Sequence, residues 1–432
     1  TILHRDVHGV YVPGTEASSE EMKSLAFAID KAGEGTLEIV SDWLDKEIEM
    51  SWMREYVEKS DCGLTVLQTS GDAVKTILFC EEQFLKGKNV RPQFPGRNVG
   101  MMFGLESSLH PFIGHPSYRE IADLPLSERV KIMKDPAFKE KLLNEKPNFA
   151  SEIEKSMNEQ DSAKSQEEIK EAANLGLKLI SNYDTQFILG DPPNYEPGKE
   201  DSIAALAESK GIAELEVIYD EFLKNEGTNL VYACFTPYEN HKLDFVERAY
   251  GLKSSVAGGS DGGAHCGLIC DASMPTTNLS HWARDREAGK KIPIELIVRK
   301  QTKDTAETYG LFDRGEIKTG MLADLNIIDF EKLNVTHPKM VYDLPLGGRR
   351  LIQTSSGYLA TIKSGEVVYE AGEATGVLPG KLIRGKQTCE VKTEKERVPF
   401  IDRTFRLMSV KALKLLWNYR KSPFKTTVVS DD

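Results

Sequence analysis

Cysteine is scarce. The chain holds six in 432 residues, at Cys62, Cys80, Cys234, Cys266, Cys270 and Cys389, without regular spacing. That excludes a disulfide framework and leads us to expect a reducing, cytoplasmic setting. Cys266 and Cys270 form a C-x3-C pair, but no second pair completes a structural zinc site, so both read as small apolar fillers. Long apolar runs are missing too. None is long enough to span a bilayer, and no membrane partner is expected. No charged-then-apolar leader precedes Thr1, so no signal peptide is expected. There is no basic excess. The formal net charge of −12 argues against a general nucleic-acid binder. Internal repeats and low-complexity tracts are absent. What remains is ordinary for a globular protein: 40% hydrophobic and 28% charged residues, in a chain too long for one ordinary domain.

Short apolar runs alternate with helical patterns, the βα rhythm of a parallel sheet or barrel. Gly35–Trp43 and Gly63–Thr69 read as strands. Leu44–Lys59 and Asp72–Leu85 read as the helices that follow them. Val90–Phe103 holds another strand, broken by Pro92 and Pro95. From about 105 to 176 the rhythm stops, and charged helical stretches such as Leu126–Lys134 and Glu152–Ala173 suggest a helical insertion with a solvated face. It then resumes. Strands are expected in Leu177–Ile188, Asn229–Phe235 and Ser254–Gly258, and helices at Ser202–Ser209, Ile212–Asn225, Lys242–Tyr250 and Ile294–Tyr309. Beyond that, Ala323–Phe330 and Tyr358–Tyr369 alternate apolar and polar residues, with a hairpin signal at Ser364-Gly365. The expected division is a barrel over 1–312, a small β domain over 313–385, and a basic helical tail over 386–432 whose apolar face docks on the body or on another subunit. A homo-oligomer is therefore left open.

The densest polar cluster runs from Ser260 to Asp285. It opens with Ser260-Asp261-Gly262 at the end of an expected strand. In a parallel α/β barrel that is where catalytic groups gather, and the glycines give a ligand room to approach. Taken alone, Asp261 reads equally as a helix cap or the first residue of an Asx turn. Other segments narrow the reading. They are Leu189-Gly190-Asp191-Pro192-Pro193-Asn194-Tyr195-Glu196-Pro197, Ser260 to His265, Ile269 to Ser273, His281-Trp282-Ala283-Arg284-Asp285-Arg286, Asp313-Arg314-Gly315, and Gly320 to Leu325. With these, the stretch from about Pro13 to Gly385 resembles the C-terminal portion of the N-acyl-D-amino-acid deacylase group of the amidohydrolase superfamily. The resemblance implies an α/β fold: a partial TIM-like (β/α)8 metal-dependent hydrolase barrel, incomplete at its N-terminus, with a small β-sandwich domain. It implies hydrolysis of the C–N bond of a small-molecule N-acyl amino acid, with a divalent metal, usually zinc. Asp261 would face the metal and its water, taking the water's proton and passing it to the leaving nitrogen.

The sequence departs from that group. No two of its eight histidines stand two apart, so the H-x-H pair of the first barrel strand is not here. His4 and His8 have helical ligand spacing, but Gly9, Val10 and Pro13 argue against a helix there. The strands expected to carry histidines read Leu37 to Asp42 and Thr65 to Thr69 and hold none. Glu38, Asp42, Gln68, Gln93 and Arg97 are candidates to line the mouth instead. His265, Tyr195, Arg284 and Arg286 are candidate substrate-binding residues, the arginines as a bidentate clamp on a carboxylate. They read equally as surface partners of Asp285 and Glu287. His110 and His115 suggest either a lid held by prolines or a structural turn. Gly258 to Gly262 also fits G-x-S-x-G, which would make Ser260 a serine-hydrolase nucleophile if a helix followed. A third reading is a truncated or degenerate barrel that only binds.

Overall fold

The computed structural model describes residues 12–15, 17–41, 43, 45–68, 74–149, 177–263 and 265–389. His4, His8, Asp42, the expected helix Glu152–Ala173 and the tail beyond Cys389 lie outside the described residues. By contacts the chain forms two compact units. One is Thr1–Ile297 with Val335–Thr354, and the other is Val298–Asn334 with Ser355–Asp432.

In the first unit the βα rhythm is plain. Helix α1 (Ser19–Ala32) starts where the Ser18 side chain accepts from the Glu21 N–H and stops at Gly33, whose φ of 87° ends the right-handed turn. Strand β1 (Thr36–Ile39) leads into helix α2 (Lys46–Lys59), capped by Asp45. Strand β2 (Gly63–Leu67) and helix α3 (Val74–Leu85) repeat the unit, and strand β3 (Val90–Pro95) follows. Leu64, Val66 and Val90 turn one sheet face against Trp52, Met53 and Tyr56 of α2, giving this half its core. The prolines do not break β3. Pro92 precedes Gln93, where pairing with β7 begins, so its missing N–H leaves no gap in that ladder.

After β3 the chain leaves the sheet. Strands β4 (Val99–Phe103), β5 (Gln186–Ile188) and β6 (Val231–Thr236) form a separate antiparallel sheet in the order β4-β6-β5. The insertion packs on it through helices Pro116–Arg119, Leu126–Met133 and Pro136–Asn144, around Phe103, Phe112, Tyr118 and Phe222. Residues 177–188 hold a helical turn before β5, so the expected strand shrinks to its last three residues. The chain then returns as β7 (Val256–Gly258), parallel to β3. The parallel sheet therefore reads β1-β2-β3-β7, every pairing parallel, and the fold is α/β. Its C-terminal strand ends bring residues after Ile39, Leu67, Pro95 and Gly258 to one edge. The expected helix Ile294–Tyr309 is two helices, Ile294–Gln301 and Lys303–Thr308, broken at Thr302.

The second unit holds an antiparallel sheet of Leu325–Ile328, Tyr358–Lys363, Glu366–Glu370 and Glu373–Ala374. Ser364-Gly365 makes its tight turn, both residues at positive φ, 52° and 85°. Ala360, Ile362 and Val367 form its core with Leu325 and Ile327.

Candidate active site at the end of strand β7

Asp261 lies three residues beyond β7 and is exposed. The loop that carries it bends sharply. Gly259 has φ 78°, Asp261 27°, Gly263 107° and His265 48°. Positive φ at two non-glycine residues is strain held by the surroundings. Those surroundings can be named. The Leu268 and Ile269 N–H groups donate back to the His265 carbonyl at 2.8 and 2.9 Å. Met102 of β4 donates its N–H to the Leu268 carbonyl at 2.7 Å, and Ser108 donates to that of Gly267 at 2.9 Å. Leu351, in the hairpin Lys339–Leu344/Gly348–Ile352, donates to the Cys266 carbonyl at 2.7 Å. Gly262 also lies against Ala272. The loop is thus fixed by β4, by the start of the insertion and by the hairpin.

Beneath it is a buried ion pair. Arg97, just past β3, is fully buried. Its guanidinium donates to Asp271 Oδ1 at 3.1 Å, the Cys270 carbonyl at 2.8 Å and Thr277 Oγ1 at 3.2 Å. Burial pushes the Asp271 carboxyl up to about 6, against the pull of Arg97 and with the Asp261 charge adding to the rise. At neutral pH it is still ionised, so the pair stands. Tyr195 covers Arg97, with the guanidinium 3.7 Å from the ring centroid. The Tyr195 hydroxyl and the Gln353 side chain are hydrogen-bonded at 2.8 Å, and the residue is 2% exposed. Tyr195 therefore supports the site from below rather than facing a substrate.

The arginine clamp is corrected by the geometry. Arg286 is 1% exposed and saturated. Its Nε and Nη2 donate to Glu196 at 2.9 and 3.0 Å, and Nη1 reaches Glu247 at 2.5 Å and the Lys290 carbonyl at 2.8 Å. His281 Nε2 completes the shell of Glu196 at 2.8 Å. Burial pushes the Glu196 carboxyl up, but the hydrogen bonds from His281 and Arg286 outweigh it and hold the group at about 2. Sequence reasoning missed this cluster, because Glu196 and Arg286 are far apart in the chain. Arg284 turns its fork onto Asp285, at 2.6 and 2.8 Å. Both arginines lie on or next to Asn278–Asp285, a wide helical turn closed by the Arg286 N–H on the His281 carbonyl at 2.8 Å. His110 and His115 are buried in the insertion core at 2% and 1% exposure, so they form a turn there and not a lid.

His265 is exposed on the Asp261 loop, beside Cys266. After Ser260 the chain makes turns until the short helix Met274–Thr277, so the helix that a nucleophile elbow requires does not follow. The mouth also holds Gln93, whose Nε2 donates to Thr65 Oγ1 at 2.9 Å, and a methyl group on Gly258 would sit 2.8 Å from Gln93 Oε1. Gln68, past β2, is buried. Among the described residues these side chains do not by themselves make up a metal site. Among the described residues no three His, Cys, Asp or Glu groups come together to hold an ion, and Asp261 is the only acid just past these strand ends.

Residues 197–369 match the sequence model of the Amidohydrolase family. That stretch is less than half of the chain, and it contains Asp261, His265, Arg284 and Arg286. Over it the chain is amidohydrolase-like. Solved structures of D-aminoacylase also align with it. One concerns the functional role of the binuclear metal centre in that enzyme and is 15% identical, with a TM-score of 0.43. An aspartate-to-alanine mutant of D-aminoacylase with copper chloride gives 15% and 0.44. In both cases 85% of this chain is covered, and the chain spans 59% of the aligned enzyme. No curated protein sequence matches the chain.

Proposed function

We propose that the protein is a hydrolase of C–N bonds of the amidohydrolase type, acting on a small N-acyl amino acid. The observation that carries this reading is Asp261: an exposed carboxylate just past a parallel strand, in a strained loop held by backbone hydrogen bonds from three directions. Asp261 is the general acid and base. It takes a proton from a water whose oxygen attacks the acyl carbon. The carbon–nitrogen bond breaks, and the same proton goes to the leaving nitrogen, giving a carboxylic acid and a free amine. His265, exposed on the same loop, is the candidate to contact the substrate. Zinc belongs to this reading as something to be measured, because Asp261 alone does not make a site for it. Six unpaired cysteines support a cytoplasmic setting.

The test is amine release from N-acetyl amino acids of both configurations, with metal analysis of the purified protein. Asp261→Asn is expected to lower kcat by about 10²–10⁴-fold, the usual worth of a general acid–base, with an unchanged unfolding midpoint. Absence of amine release by the unmodified protein on every substrate would sink the reading.

A further inference from the structure

The sequence offered Arg284 and Arg286 for a substrate carboxylate, but Arg286 is saturated in the interior and Arg284 lies on Asp285 at the surface. Arg97 is spent as well, on Asp271. One other arginine reaches the loop of Asp261. Arg349 stands on the hairpin strand Gly348–Ile352, next to Leu351, whose N–H is fastened to the Cys266 carbonyl. A methyl group on Gly267 would lie 3.7 Å from Arg349 Nε, so the side chain runs along the loop's own backbone. Its charge is also felt by His110, Tyr118 and Tyr342. Arg349 is exposed, and no carboxylate among the described residues is paired with it. The nearby acids are engaged. Asp343 takes both prongs of Arg350 at 2.7 and 2.8 Å, and Glu106 accepts from the Tyr342 hydroxyl at 2.6 Å.

We propose that Arg349 binds the α-carboxylate of the substrate, on the side of the loop where His265 lies. This rests on the hydrolase reading and deepens it. A guanidinium takes a carboxylate in a bidentate fork, which fixes orientation as well as position. The hairpin holds that fork at a set place relative to Asp261, since Leu351 and Cys266 share a backbone hydrogen bond. The amide of a substrate gripped by its carboxylate is then presented to Asp261. The site selects acyl amino acids over their neutral amides.

The experiment compares an N-acetyl amino acid with its α-carboxamide as substrates of the full chain. In Arg349→Met the kcat/KM ratio of acid over carboxamide is expected to fall about 10- to 100-fold, the worth of a charge-assisted pair. Arg349→Lys should recover part of it. Arg350→Met, which removes a charge already engaged by Asp343, should leave the ratio in place. An unchanged ratio in Arg349→Met overturns the proposal. If the unmodified protein hydrolyses neither compound, the hydrolase reading falls, and calorimetry decides the subsite separately. Binding of the N-acetyl amino acid that is lost in Arg349→Met and kept in Arg350→Met supports it, and no binding, or equal binding, overturns it.

Discussion

Arg284 and Arg286 are two residues apart and use their charge in different ways. Arg284 folds onto a neighbouring surface aspartate, a pairing worth little in water. Arg286 is held in the interior, where an unpaired partner would be costly. Arg286→Met leaves the Glu196 carboxylate buried without its main counter-ion. It should cost about 3–5 kcal/mol of stability, read as a lower urea midpoint at an unchanged slope. Buried groups also set the response to acid. Burial holds the His110 imidazole down at about 3, with the Arg129 charge adding to the effect. The unfolded chain takes up that proton near pH ~6.5 and the folded chain does not. Stability is therefore full above that pH and is lost as the pH falls towards 3. Glu196, held at about 2, loses its contribution only below the ordinary glutamate range. Between pH 6.5 and 5 His110 and His115, both lowered by burial, pull stability down as the pH falls, while Asp271, raised to about 6, pulls the other way. His110→Gln should flatten unfolding free energy against pH there and leave the steeper loss below pH 4.

At the scale of elements, close approach decides more than propensity. Gly100 in β4 lies against the Tyr232 ring of β6, and a methyl group there would meet that ring and come 2.7 Å from the Ala233 carbonyl. Tyr232 cannot swing aside, because its hydroxyl is fixed to Asn98 at 2.8 Å. Gly100→Ala should therefore cost about 1–3 kcal/mol, the range for overpacking, measured by chemical unfolding. The same contrast explains what the sequence made legible. Strands β1, β2 and β7 and helices α2 and α3 carry their apolar period locally, and each formed close to where its pattern lies. The place of Asp261 just past a strand was legible because Ser-Asp-Gly follows an apolar run. The separate sheet β4-β6-β5 was not, since its partners come from distant segments and no local period records which strand pairs with which. The Glu196–Arg286 cluster and Arg349 were hidden for the same reason. Charge pairing over long separations leaves no spacing to read, and Arg349 stands between Gly348 and Arg350 in a strand with no motif.

The whole molecule is acidic, with a net charge of −12 and an isoelectric point near 5.4. Self-repulsion keeps such a chain dispersed at neutral pH and fades where the net charge vanishes. Its solubility should pass through a minimum near pH 5.4, followed by light scattering across a pH series. A fluorescent DNA duplex titrated at physiological salt should show no rise in anisotropy.

The hairpin that carries Arg349 belongs to the first compact unit, although the chain on either side of it belongs to the second. A gene cut after Ile297 would not release the first unit whole. It would discard Leu351, the tie on the Asp261 loop, and Arg349 with it. The two units are interleaved in the reading frame, so each must be inherited, shuffled or engineered together with the other.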